Sequence, residues 1–421
     1  MYSYAQKNTN ELKKIKKELL ESYTSYKMQN LKLDMSRGKP CIEQLDLSND
    51  ILKIDISDYK TDLRNYGGLD GIIEIKELFG SILNLSTDEI IVGGNSSLSL
   101  MYDTFIRAMY LGVSGGNPWT KNEKVKFLCP SPGYDRHFSI CELLGIEMIS
   151  IDLLENGPDM DRVRELVEND ETIKGMWCVP KYSNPTGIIY SDTVIREIAN
   201  LKPKAENFRL FWDNAYMVHD LEDNSSEILN ILDECKKVGN EDMVYIFAST
   251  SKVTFAGAGI SIIAASKNNV KYIKNQLSIK TIGSDKVNQY RHYKFLNSFE
   301  NIKLHMKKHA MIIKPKFDKV IEILNMQLKN LGIATWTNPK GGYFISFDSY
   351  DGCAKKIIKM ALDAGLKMTE AGATFPYKND PNDKNIRIAP TFPSLDELEK
   401  AMDLFCICVK ISSIDKLIEN N

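Results

Sequence analysis

From about residue 88 the chain repeats one pattern: a short apolar run, a loop, then a helical stretch. The candidate strands are Glu89–Val92, Val125–Cys129, Glu147–Ile151, Gly175–Val179, Phe208–Trp212, Met243–Phe247 and Ile260–Ala265. Several are largely apolar along their length, the pattern of strands covered on both faces. Helical stretches between them predict an α/β core with a mostly parallel, seven-stranded sheet. A chain of 421 residues is too long for one small core, so a large and a smaller unit are expected. The division predicted is 1–50 as an N-terminal helix and arm joining the small unit, 51–305 as the large domain, and 306–421 as the small C-terminal domain.

The flanking regions fit that plan. Leu12, Ile15, Leu19 and Tyr23 recur at helical spacing and predict a first helix over Glu11–Tyr26, capped by Asn10 or Thr9. Its lysine-rich face (Lys13, Lys14, Lys16, Lys17) reads as a solvated face rather than a membrane contact. A long helix containing Pro315 is expected over about His305–Leu331. After it, Gly341–Phe347 and Asn385–Ala389 read as strands.

The bulk numbers remove several function classes. A net charge of −2 without a basic arm gives no reason to expect a nucleic-acid partner. The eight cysteines form no Cys-x-x-Cys pair and sit mostly in apolar runs, as buried thiols of a reducing compartment do. The N-terminus is polar and no run is long enough to span a bilayer. A soluble, cytoplasmic protein is expected. His305 and His309 stand four apart on the long helix, but no nearby carboxylate completes a metal-ligand set, so no metal is expected.

The informative polar residues lie just past strand ends, where α/β sheets place their ligands. Lys252 closes the run Ala248-Ser249-Thr250-Ser251-Lys252. Thirty-nine residues earlier a strand ends in Trp212-Asp213, with Tyr216 three residues on, and Asn184 lies in Ser183-Asn184-Pro185-Thr186-Gly187. These groups suit a phosphorylated pyridine aldehyde, pyridoxal 5′-phosphate. A desolvated lysine amine can attack the aldehyde and later carry a proton. Asp213 can keep the ring nitrogen protonated, and Asn184 and Tyr216 can contact the ring's 3-oxygen. The phosphate needs an anion site, and Gly93-Gly94-Asn95-Ser96-Ser97 before the helical run Leu98–Leu111 offers free amides and hydroxyls. Ser249 is a second phosphate candidate. Tyr134, in a loop after a strand, can stack on the ring, and Arg387 can clamp a substrate carboxylate. Each has a plainer alternative: a surface lysine, a helix cap for Asp213, a packed loop aromatic for Tyr134, a strand-edge ion pair for Arg387.

Taken together, the Ser-Asn-Pro-Thr-Gly, Asp-x-x-Tyr and Ser-x-Ser-Lys elements resemble those of fold-type I, pyridoxal-phosphate-dependent aminotransferases of class I/II. Ser36-Arg37-Gly38-Lys39-Pro40, the stretch Pro132–His137 and the stretch Thr254–Gly259 are similar to the Ic-type, MocR-like aspartate aminotransferases. The resemblance runs from about Arg37 to Arg387. It implies the fold-type I sheet with a smaller α/β domain, and an enzyme moving an amino group between an L-amino acid, aspartate favoured, and a 2-oxo acid such as 2-oxoglutarate. It further implies Lys252 as the reacting lysine, with Asp213, Asn184, Tyr216 and Tyr134 around the ring. Asn95, Ser96, Ser97 and Ser249 would lie at the phosphate, and Arg387, Asn184 and Gly38 at the substrate. Tyr66, in Asn65-Tyr66-Gly67-Gly68, matches a tyrosine that reaches the neighbouring subunit's phosphate, so the resemblance implies a homodimer with shared sites. One position departs: most class I enzymes carry an arginine eight residues after the lysine, and this chain has Ile260. Lys286 and Arg291 are candidate replacements, and Arg37, Arg136, Lys286 and Arg291 compete for a distal substrate carboxylate. The rivals are another amino acid or a β-lyase reaction on the same scaffold, and a non-catalytic sensor.

Overall fold

The computed structural model describes residues 3–223 and 227–420. Its strands are β1 (Leu33–Met35), β2 (Ile90–Val92), β3 (Lys126–Ser131), β4 (Glu147–Leu154), β5 (Gly157–Pro158), β6 (Ile173–Cys178) and β7 (Arg209–Asp213). They continue with β8 (Val244–Ser249), β9 (Ser261–Ala265), β10 (Ala334–Trp336), β11 (Ile345–Ser349), β12 (Leu366–Met368) and β13 (Asn385–Ile388). The main sheet has the order β2-β9-β8-β7-β6-β3-β4-β5. Strands β8, β7, β6, β3 and β4 run parallel. β9 runs against both its neighbours, and β5 against β4.

Seven of these eight strands are those expected, with ends shifted by three residues or fewer. The eighth corrects the seven-strand expectation. β5 is two residues long, too short to carry a pattern, and exists because a hairpin folds back on the edge of β4. Burial on both faces explains the apolar runs. Along β7, Leu210 and Trp212 enter one core while Phe211 enters the other, packed among Phe105, Phe127 and Trp177.

A separate three-stranded antiparallel sheet, β10-β11-β13, carries the C-terminal part of the chain. β1 pairs in parallel with β12, so the segment near residue 34 is stitched to the C-terminal part. The first helix, Thr9–Met28, packs on the last, Leu395–Asn420. It starts earlier than expected because Asn8, not Asn10 or Thr9, is the cap: its side chain accepts from Glu11 N while Glu11 Oε2 accepts from Asn8 N. The long helix spans Phe299–Leu328 and absorbs Pro315.

The expected strand at Gly341–Phe347 begins only at Ile345. Gly341 and Gly342 instead form a turn pressed on Tyr182 and the His219 carbonyl. A Cβ at Gly341 would stand 2.2 Å from the Tyr182 ring, and Gly342 has φ +81°. That turn delivers Tyr343 and Phe344 to the polar edge of the large sheet. Among the described residues no helix is long and apolar enough to cross a membrane.

Candidate active site

Parallel pairing sets the site. Asp213, the last residue of β7, lies in register with Phe247 of β8, so Asp213 and the β8 terminus at Ser249 open on the same sheet edge. Just beyond, residues 250–254 wind into one turn, with Val253 N and Thr254 N both donating to Thr250 O at 2.8 Å. Lys252 sits in this turn. Its Nζ lies 4.9 Å from the centroid of Tyr216 and 5.8 Å from that of Tyr343. Burial lowers its pKa, and the Asp213 carboxylate partly opposes that shift.

Asp213 is buried and held from one side. Its Oδ2 accepts from His137 Nε2 at 3.0 Å, and the imidazole lies flat on Trp177, 3.9 Å between centroids. A carboxylate acceptor fixes the His137 proton on Nε2. The other oxygen, Oδ1, is buried without a partner among the described residues. An orphaned carboxylate oxygen is costly unless something meets it, and a protonated ring nitrogen is such a partner. Burial raises the phenol of Tyr216 well above its ordinary pKa and that of Tyr134 to about 12, so both remain donors. Tyr134 meets His137 edge to face at 4.9 Å.

The glycine-serine loop is built against the lysine turn. Gly93 N donates to Ser261 O and Ser261 N to Gly94 O, each at 2.7 Å. Asn95 Nδ2 donates to Gly257 O at 3.2 Å, Ser251 Oγ to Asn95 O at 3.1 Å, and Ser249 Oγ to Ser251 Oγ at 3.1 Å. Asn95, Ser96, Ser97 and Ser249 therefore come together. The helix that follows, Ser97–Tyr110, has no side-chain cap, which leaves its first amides for an anion. Ile260 is in the core, its N–H donating to Thr250 Oγ1. Lys286 spends its ammonium on the carbonyls of Asn65 and Gly67, 2.8 Å each, steadying the loop of Tyr66. Arg291 Nε donates to Ile54 O. Arg37 and Arg136 are exposed.

Arg387, in β13, crosses to this edge although it is distant in sequence. Its Nη1 donates to Asp135 Oδ1 at 2.8 Å and to Asn184 Oδ1 at 3.4 Å, its Nε donates to Thr369 Oγ1, and its guanidinium lies over Phe344, 4.9 Å from the centroid. Gly38 is where Phe344 presses in: a Cβ there would stand 2.4 Å from Cζ. Asp135, His137, Thr369, Tyr343 and Phe344 were not singled out from sequence. Asp135 and His137 left a trace only as members of the Pro132–His137 stretch, and Tyr343 and Phe344 only as part of the expected strand Gly341–Phe347.

Fold and edge together define a pyridoxal-phosphate-dependent transferase of fold type I. The chain belongs to the aspartate amino-transferase family, whose sequence profile matches residues 7–421. It is similar to an aspartate aminotransferase of Corynebacterium glutamicum, 43% identical over 94% of this chain and 93% of that one. The crystal structure of an aspartate transaminase from the same organism superposes with a TM-score of 0.96 at 41% identity, covering 99% of each chain. An α-aminoadipate aminotransferase of Thermus thermophilus shares the fold alone, with 15% identity, a TM-score of 0.73, and coverage of 99% of this chain and 97% of that one.

Proposed function

We propose that this aminotransferase moves the amino group of L-aspartate to a 2-oxo acid, 2-oxoglutarate first among them. The observation that carries the reading is the convergence of Lys252, the half-satisfied Asp213 and Arg387 on one edge. The 43%-identical aspartate aminotransferase supports the choice of substrate. The division of the chain near residues 50 and 305 goes with this reading.

Bound pyridoxal 5′-phosphate supplies an electron sink for the pair left at the substrate α-carbon when its proton departs. Asp213 Oδ1 would face the ring nitrogen, and His137 keeps that carboxylate aimed. Asn184 and Tyr216 would meet the 3-oxygen, with Tyr134 against the ring. Asn95, Ser96, Ser97 and Ser249 would hold the phosphate, joined by Tyr66 of a second copy. Tyr66 is 83% exposed in one protomer, which suits such a reach, and a homodimer near twice 47.8 kDa is expected in solution.

Lys252 Nζ takes the proton from the substrate α-carbon, a task that its desolvated amine suits. Arg387 binds the α-carboxylate, which takes the place that Asp135 Oδ1 fills on Nη1. Asn184 shares that guanidinium and links substrate to ring. Gly38 leaves Phe344 its room beneath the arginine.

The test is the absorbance of the cofactor-loaded protein. A band discharged by L-aspartate and restored by 2-oxoglutarate supports the proposal. Discharge only by L-alanine or L-tyrosine moves the substrate, and pyruvate with ammonia released without an acceptor indicates a lyase. No response to any amino acid rejects transamination.

A further inference from the structure

The chain has five histidines, and all five are buried. They crowd the edge just described. His137 holds Asp213. His219 packs edge-on to Tyr216 and Tyr343. His292 Nε2 lies 2.9 Å from Thr254 Oγ1. His305, from the helix Phe299–Leu328, reaches Val253, the residue after Lys252, and His309, one turn on, lies against His305.

The proton of His305 is placed by its partner. Val253 O only accepts, so His305 carries its proton on Nε2, 2.8 Å away. Gln44 Oε1 accepts from Cys41 N, which turns Gln44 Nε2 toward His309 Nδ1 at 3.1 Å and Tyr343 Oη at 2.8 Å. His309 Nε2 lies 3.1 Å from His305 Nε2. One neutral N–H holds the carbonyl, and His309 stands behind the ring that carries it. Gln44 ties His309 to Tyr343, whose ring stands beside Lys252 Nζ.

Packing alone does not explain this choice of residues. Apolar side chains here would leave the Val253 carbonyl a buried acceptor without a partner. A lysine or arginine donor would satisfy it but place a fixed charge near the ε-amine. A neutral imidazole satisfies the carbonyl without that charge.

We propose that His305 is a positioning residue that, backed by His309 and Gln44, clamps the Val253 carbonyl and thereby fixes where the Lys252 ε-amine enters the site. The inference rests on Lys252 being the reacting amine. A small displacement of a reacting group is enough to slow a reaction strongly.

The test uses His305→Ala and His309→Ala, with His305→Gln as the conservative variant that keeps a neutral N–H donor. In cofactor-free protein, acetylation of Lys252 by acetic anhydride is followed against pH by peptide mass spectrometry. The alanine variants are expected to move the Lys252 profile toward that of an exposed lysine, by about one pH unit. In loaded protein kcat should fall about tenfold or more, with KM for aspartate held within about twofold, and His305→Gln should recover most of both. An unchanged Lys252 profile and kcat, with only thermal stability lost, would overturn the clamp. Should the alanine variants fail to fold, Gln44→Leu carries the same readouts: a smaller shift of the same sign is expected, and no shift overturns the proposal. Failure of wild-type transamination would strike the proposed function, whereas the acetylation profile still reads the clamp.

Discussion

The cofactor side and the substrate side of this site are built in different ways. Asp213, Ser249 and Lys252 hang from adjacent parallel strands, so their spacing follows from strand register. Arg387, Thr369, Phe344 and Gly38 come from the C-terminal sheet, its loops and the N-terminal arm, and meet only because two separately built parts close on each other. The first side is set by backbone hydrogen bonds. The second is set by side-chain contacts, which single substitutions can retune without harming the fold.

The comparison breaks most severely at Lys252. Lys252→Ala should lower kcat by about a hundredfold to ten-thousandfold or more while the protein still folds and binds the cofactor, as steady-state rates beside an absorbance titration will show. Unchanged turnover would end the mechanism. On the substrate side, Arg387→Lys loses the planar guanidinium and its Nε donor to Thr369. A charge-assisted bond of this kind contributes about 1.5–3 kcal/mol, so KM for aspartate should rise roughly tenfold to a hundredfold. Cofactor affinity should stay as it was, and a matching loss of cofactor would show that the two sides are not separable. Gly38→Ala acts more gently, by pushing Phe344 against Arg387. Overpacking costs about 1–3 kcal/mol, only part of which reaches binding, so a rise in KM of about fivefold with kcat nearly unchanged is expected.

The smallest effect concerns stability against pH. Burial, then neighbouring His305, hold His309 down to about 3 from an ordinary 6.5. The folded state therefore binds its proton only at lower pH than the unfolded state does. The stability tied to neutral His309 is complete above about pH 6.5 and is lost as pH falls toward 3. His309→Gln should flatten that part of the melting-temperature profile, and an unaltered slope would assign the acid sensitivity to other groups.

The cofactor side was largely legible in the sequence because each of its residues lies at the end of an apolar run, and runs map directly onto strands. The same logic located seven strands of the main sheet and missed β5, whose two residues carry no period. It overextended the strand at Gly341–Phe347, since Tyr182 and the His219 carbonyl, both distant in sequence, force the turn there. Arg387 could be picked as a carboxylate clamp from residue type. Its partner Asp135, 252 residues away, could not.

By itself, then, the sequence determined the α/β core, the edge where chemistry is placed and the lysine, aspartate and asparagine that define it. These follow from local periodicity and from what stands at the end of each period. Only the tertiary structure decided that His137 holds Asp213, that Asp135 fills Arg387, and that a histidine from a distant helix meets the carbonyl beside Lys252. Those contacts join residues far apart in the chain, and their partners are chosen by packing, which leaves no period to read.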